Sequence, residues 1–533
     1  MTEIPQGIAK TASLRLLNRL LASLQSPIAI GLILLAIAGF VVVTVNTWPY
    51  TIDDAFITFR YAENLTSGWG LSFNQNPPHA EGYTSLLWTL VMAIPHAIGI
   101  DAVLVSKLLG VSLTLATVIV IWMAVYFAAQ KVPKAGGILG AVFGPILFLS
   151  FPYCAVHSVS GMETALAAFL YCTSVGLFLQ LHQRTHARWL LPLMCFLLGV
   201  TRPEANLFCT LLLAVALFSV PKGRRAKFAL CCFTCYVLPG AGYFAWRYSY
   251  YGMLFPLPFY IKSGHIGLAG LPPSRDFLKD IALGFTFPLL AFIFYAPTRQ
   301  KAVLLPLAAM FAYFLTVDHV TGYGDRYFYP LLPVLSVLGG LGIARMIAAV
   351  TPQASVWTRT ALLSIAAIAL VVGFQQGQYS AGGFLTYAQG LNRAHRVLGQ
   401  TLSEMRWKSH PVLVIADAGT VPYYSRLETI DSFGLNDAFI ATHSRADRSD
   451  YVFAHNPTLV VLISWNADTF DSPLPYENAL FKSCLKNGYS RQTVFRFCEA
   501  YYLWTMWRPD SPDAPMLDNL LLQASKQSQS ILK

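Results

Sequence analysis

Charge is what this chain has least of. Only 12% of its 533 residues are charged and 55% are hydrophobic, with a mean hydropathy of +0.52. A soluble domain carries about 25% charged residues, so an ordinary soluble enzyme is excluded and a polytopic α-helical membrane protein is expected. The net charge of +11 does not argue for nucleic acid. The basic residues fall in short clusters between apolar runs, as in cytoplasmic loops. Internal repeats and low-complexity tracts are also lacking. No small-residue cleavage site follows the first apolar run, so the basic lead-in (Lys10, Arg15, Arg19) is not read as a cleavable leader. Cysteines are few. Cys154, Cys172, Cys195, Cys209, Cys231, Cys232 and Cys235 lie in or beside apolar runs and read as small hydrophobes. Cys231, Cys232 and Cys235 have no fourth metal ligand nearby. Cys484 and Cys498 sit in the polar C-terminal region and are a candidate disulfide if that region lies outside the cytoplasm.

What is present is a series of apolar runs. Eleven are long enough to span, or nearly so: 26–46, 103–128, 135–151, 163–181, 189–201, 204–220, 228–247, 281–297, 302–317, 328–349 and 360–375. The run at 86–99 is short and broken by Pro95, and reads as interfacial or re-entrant. With the N-terminus inside, the basic clusters (Lys131 and Lys134, Arg184 and Arg188, Lys222 to Lys227, Arg299 and Lys301, Arg345 and Arg359) all fall on the inner side, as the positive-inside rule asks. The expected organisation is a transmembrane unit over 1–375, with a first periplasmic loop at 47–85, and a small periplasmic α/β domain over 376–533. "HPVLVIADAGTVPYYSR" and "NPTLVVLIS" each supply a buried strand there, and the last 15 residues look frayed.

The outer side collects the acids, histidines and tyrosines. Directly after the first run, "WPYTIDDAFITFRYAENLTSGWG" carries the pair Asp53 and Asp54. Acids cluster at a membrane face where something holds or uses them. The same loop holds Arg60, His79, Glu81 and Tyr83; later outer loops hold His157 and Glu163, then Arg202 and Glu204, then Tyr260 and Lys262, then His319, Asp325 and Arg326. This set suits sugar transfer from a polyprenyl-phosphate donor. Arg and Lys near the span ends would grip the phosphate. A carboxylate would deprotonate the acceptor hydroxyl or stabilise an oxocarbenium-like charge. Asp53 and Asp54 are the catalytic candidates; Arg60, Glu81, Tyr83, Glu163, Arg202, Glu204, Tyr260, Lys262, Asp325 and Arg326 are the donor- and acceptor-binding candidates.

Structural readings stand beside these. Asp53 and Asp54 would also cap a helix starting at Ala55. Arg202 and Glu204 would form a local ion pair, Asp325 and Arg326 another, and Glu163 would favour a helix N-terminus. The Tyr-rich stretch around Tyr260 would serve as an interfacial aromatic belt. Asn64 heads a glycosylation sequon. In the C-terminal region Asp417, Tyr423, Tyr424, Asp431, Asn436 and Asp437 would form an acceptor-binding lip, or a strand–turn core with Asx turns.

The blocks "DDAFITFRYAENLTSGWGLSFN…EGYTSLLWTL", "GMETAL", "TRPEA", "YYGMLFPLPFYIKSG", "GDRYFYPLLPVL" and "AGTVPYYSRLETIDSFGLND" follow one another across residues 53–437. Together they resemble the bacterial C-superfamily (GT-C) membrane glycosyltransferases, in particular the branch of mycobacterial terminal β-(1→2)-arabinofuranosyltransferases. The resemblance implies a polyprenyl-phosphoryl arabinofuranose donor, catalysis on the periplasmic side of the bacterial inner membrane, and a catalytic Asp in the first outer loop, here Asp53 or Asp54. The implied acceptor is a cell-envelope glycan, lipopolysaccharide or glycoprotein. The C-terminal region is shorter than in that branch, and the fifth block differs while keeping Asp325 and Arg326. No cofactor is required on this reading, although paired carboxylates are able to hold Mg²⁺ or Mn²⁺. The competing classes are a lipid or sugar transporter or flippase, which calls for mid-membrane polar residues, and a non-catalytic envelope assembly protein, which calls for no acidic pair.

Overall fold

The computed structural model describes residues 27–76, 78–130, 132–262, 268–319, 322–350, 352–443 and 448–530. The basic lead-in (Lys10, Arg15, Arg19) lies outside them.

Each of the eleven apolar runs lies in a helix, from Pro27–Thr47 to Pro352–Leu391. Six helical stretches are long and apolar enough to cross a membrane by length and composition: Ile30–Thr47, Ala102–Ala128, Lys222–Tyr251, Leu271–Tyr295, Tyr323–Ala349 and Thr360–Ser403. Shorter apolar helices include Leu86–Ala97, Thr164–Gln180, Ala187–Thr201 and Ala205–Ser219. Their brevity follows from their termini. Pro203 and Pro221 stand at two chain reversals, and a proline cannot continue the helix before it.

The Leu332–Ala349 helix is the axis of the bundle, buried along nearly its whole length. The Lys134–Leu149 and Leu271–Tyr295 helices pack against it. Close crossing needs small residues. A Cβ on Gly140 would lie 2.3 Å from the Gly340 carbonyl oxygen and 2.7 Å from the Ala344 Cβ. Such small-residue crossings let backbones approach where lipid supplies no hydrophobic drive.

Beyond the bundle the chain forms one five-stranded sheet. The strands are β1 (Val412–Ile415), β2 (Glu428–Asp431), β3 (Leu459–Ser464), β4 (Arg491–Cys498) and β5 (Tyr501–Trp507). Their order is β2-β1-β3-β5-β4. β1 runs parallel to β2 and β3, whereas β5 is antiparallel to both β3 and β4. β1 and β3 are the strands expected from the sequence. The side chains of this sheet alternate between two cores. Leu413, Ile415, Val461, Phe495 and Leu503 face a cluster shared with Tyr50, Ile52, Phe56 and Phe59 of the first loop region. Val414, Val460, Leu462 and Met506 face the other, with Leu480 and Cys484. The sheet is therefore glued to the first loop by apolar contact.

Two expectations are corrected here. Residues up to 530 are not frayed: Ala514–Ser530 is a helix whose Leu517, Leu521 and Ala524 are buried in the first of these clusters. Cys484 and Cys498 form no disulfide; both are free thiols. Cys484 is buried on one side of the sheet and Cys498 packs on the other, so the sheet separates them.

A Gly140→Val variant tests the crossing. It is expected to lower stability by about 1–3 kcal/mol through overpacking, read as a lower Tm in detergent.

Candidate functional site

The first loop begins with a helix, Asp53–Thr66, whose N-cap is Ile52 in extended conformation. The acids therefore occupy the first helical turn, where the dipole favours negative charge; they do not cap a helix at Ala55. Successive residues on a helix point about 100° apart, and the two acids face different surroundings.

Asp53 is buried. Its Oδ1 accepts the Thr420 N–H at 2.8 Å and its Oδ2 accepts the Gly419 N–H at 3.1 Å. Its own N–H donates to the Tyr387 hydroxyl at 3.2 Å. Only glycine fits at 419, because a Cβ there would lie 2.1 Å from the Asp53 carbonyl oxygen. Burial pushes the Asp53 carboxyl up to about 6, a rise opposed by His395 and reinforced by Asp417. Both oxygens are committed to backbone, so Asp53 is a bolt between the first loop and the C-terminal region.

Asp54 faces the bundle, with its side chain 22% exposed. Arg326 Nη1 lies 3.3 Å from its Oδ2. Arg326 Nη2 lies 3.9 Å from Glu163 Oε1, which is also 3.8 Å from Arg202 Nε. Arg202 Nε reaches Glu204 Oε1 at 2.9 Å, and Nη1 donates to the Arg326 carbonyl at 3.4 Å. Four separate sequence blocks thus converge on one chain of alternating charge. The turn that aims Arg326 has left-handed backbone at Gly324 (φ 53°) and Asp325 (φ 57°). His157 holds it, with Nε2 2.5 Å from the Gly324 carbonyl oxygen. His157 also packs on Tyr329, ring centroids 4.3 Å apart. Such strain is tolerated where surrounding contacts over-determine it.

The remaining candidates lie elsewhere. Arg60 is spent on structure. It donates to the carbonyls of Phe73, Pro422 and Leu427 and to Asn74 Oδ1, at 2.6–3.1 Å. These contacts take four of its five N–H groups, so most of the guanidinium serves to hold the first loop against the C-terminal region. Glu81 forms a buried ion pair with Arg247 at 2.7 Å. Burial pushes its carboxyl up to about 7 against the pull of Arg247. Tyr83 is buried beside it, accepting from the Tyr251 hydroxyl at 3.2 Å. Tyr260 is half-buried, edge-on to Phe259. The Lys262 side chain lies outside the described residues. His319 stacks on Tyr327 at 4.5 Å and hydrogen-bonds the Phe314 carbonyl.

In the C-terminal region, Asp431 spends both oxygens on its own turn, accepting from Phe433, Gly434 and Asn436. Asp437 caps the next helix at Ile440 N–H, 3.0 Å away. These are Asx-turn roles, as the structural alternative had it. Asn64 is also buried, its amide donating to Ser72 and Phe73 carbonyls. No group of three or more His, Cys, Asp or Glu able to hold a metal occurs among the described residues.

Sequence reasoning passed over Tyr387, His395, Gly419 and Tyr501, which surround Asp53 and Asp417. His395 carried one usable signal: it lies in a helical pattern, "LNRAHRVLG", at the entry to the C-terminal region.

Residues 381–512 match a family model described as "Domain of unknown function (DUF8728)". No curated protein matches the chain. Among solved structures, the crystal structure of ArnT from Cupriavidus metallidurans bound to undecaprenyl phosphate is similar, with a TM-score of 0.61 at 14% identity over 89% of this chain and 98% of that one. The same protein in the apo state gives 0.59 at 14% identity, over 90% and 98%. The likeness establishes the fold alone: a mostly helical bundle with apolar helices long enough to span a membrane, followed by a small sheet-containing region.

The two acids separate by experiment. Asp53→Ala orphans two backbone N–H groups and is expected to cost about 1–3 kcal/mol for each one left buried without a partner, seen as a marked fall in Tm. Asp54→Asn keeps a side-chain oxygen beside Arg326, which also retains Glu163, and is expected to lower Tm less than Asp53→Ala does.

Proposed function

We propose that this chain is an integral membrane glycosyltransferase that transfers a sugar from a polyprenyl-phosphate donor to a cell-envelope acceptor on the periplasmic side of the inner membrane. One observation carries the reading: Asp54, Arg326, Glu163 and Arg202, distant in sequence, converge at the end of the bundle beside the first loop. The shared fold with a protein solved with undecaprenyl phosphate supports the donor class. The order of sequence blocks makes arabinofuranose the first sugar to test and a glycan, lipopolysaccharide or glycoprotein the acceptor.

The chemistry follows from the charge chain. Arg326 holds Asp54 at its more exposed end. A donor phosphate entering there competes for the same guanidinium, which suits bidentate anion binding. Once displaced, the Asp54 carboxylate is free to accept the proton of the acceptor hydroxyl as the sugar–phosphate bond breaks. The phosphate leaves with the electron pair of that bond, held by Arg326. Glu163, only 3% exposed and between the two guanidiniums, keeps Arg326 from swinging out and offsets part of the positive charge. Asp53 does not touch the reacting groups in this scheme. Its place is to hold the first turn.

The test is sugar incorporation by purified full-length protein given radiolabelled polyprenyl-phosphate sugars, arabinofuranose first. Asp54→Asn is expected to lower kcat by about 10²–10⁴-fold, the usual yield of a general base, with donor KM little changed. Arg326→Ala is expected to raise donor KM. Full turnover in Asp54→Asn would remove the assigned base, and a wild-type protein inert with every such donor would remove the function.

A further inference from the structure

Behind Asp53 lies a second, partly buried polar cluster that the transfer chemistry does not use. His395 sits in a π-helical turn, Asn392–Arg396, at the end of the long Pro352–Leu391 helix, and is 1% exposed. Its Nε2 is 2.9 Å from Asp417 Oδ2, and the Tyr501 hydroxyl donates to the same oxygen. Asp417 is two residues before Gly419, whose N–H together with that of Thr420 holds the Asp53 carboxylate. Two turns before His395 on the same helix, Tyr387 accepts the Asp53 N–H. The helix end therefore grips the first turn of the catalytic loop twice: once directly through Tyr387, and once through His395, Asp417 and the 417–420 turn.

We propose that His395 is a positioning residue: by fixing Asp417 it sets the 417–420 turn, which sets Asp53, which orients Asp54 against Arg326. This rests on the glycosyltransferase reading. Asp54 is covalently next to Asp53, so any tilt of the first helical turn moves its carboxylate relative to Arg326, 3.3 Å away. Placement errors of about 1 Å cost on the order of 10²-fold in rate. The alternative is that His395 only fills space. Its ring does pack on Phe497, centroids 5.3 Å apart. A space-filling role needs no donor at Nε2, whereas the positioning role needs one and nothing else. A glutamine amide is able to supply that donor; leucine is not.

The experiment compares wild-type, His395→Gln and His395→Leu full-length protein in three measurements: donor kcat and KM, Tm, and deuterium uptake by peptides covering residues 50–56. In His395→Leu, kcat is expected to fall at least tenfold with donor KM within threefold of wild type, and 50–56 is expected to exchange faster. In His395→Gln both readouts are expected to return to within threefold of wild type. If Leu and Gln behave alike, or if the effect falls on KM alone, the positioning role is wrong. If His395→Leu does not fold, Tyr501→Phe, which removes only a hydroxyl from Asp417, takes its place with the same expected signs. An inert wild type would sink the glycosyltransferase reading; the exchange of 50–56 would still decide whether His395 orders the loop.

Discussion

The architecture depends on one contact, the grip of the Asp53 carboxylate on two backbone N–H groups at residues 419 and 420. A buried carboxylate is costly unless hydrogen-bonded, and here both oxygens have donors. The helical bundle and the sheet also share an apolar core, which is strong but not directional. The Asp53 contact supplies direction, as do the hydrogen bonds between Asn74 and the Thr429 backbone. Arg60 adds to it from the same helix face by reaching the carbonyls of Pro422 and Leu427. The two residues lie seven apart, close to two helical turns, so one face of the Asp53–Thr66 helix is given over to holding the sheet region. The neighbouring face carries Asp54, which turns toward Arg326.

The charge chain from Asp54 to Glu204 is built on a different principle. Three of its members, Glu163, Arg202 and Arg326, approach full burial, and in such surroundings unpaired charges would be expensive. Alternation of sign solves this: each arginine lies against two carboxylates. The chain ends at Asp54, the most exposed member, where an incoming anion is able to enter without breaking the inner pairs.

Much of this was legible in the residues. Low charge and long apolar runs specify a helical membrane protein, because no other pattern keeps so much backbone satisfied in lipid. Eleven runs became helices. The convergence of "DDAF", "GMETAL", "TRPEA" and "GDRYF" was anticipated from their common side. What was not legible was the division of labour between Asp53 and Asp54. Adjacent identical residues carry the same chemistry, and only the three-dimensional partners tell the acid held by backbone N–H groups from the one paired with an arginine. Arg60 shows the same limit: its three carbonyl partners are not readable from a guanidinium in sequence. Strands β4 and β5 escaped because "RQTVFRFC" and "YYLWTMW" are not the continuous aliphatic runs that mark β1 and β3, and tertiary pairing decided them. The proposed disulfide failed because spacing in sequence says nothing about which face of a sheet a cysteine occupies.

The bolt also has a meaning for how the molecule is made. Asp53 and Gly419 are separated by 366 positions in the chain. At a synthesis rate of about 5–20 residues per second, the N-terminal acid waits on the order of 20–70 s for its partner to leave the ribosome. During that interval the carboxylate that organises the loop has nothing to hold. A nascent or prematurely terminated chain therefore inserts its early helices with the anchor of the first loop unmade. That anchor forms late, with the docking of the final third.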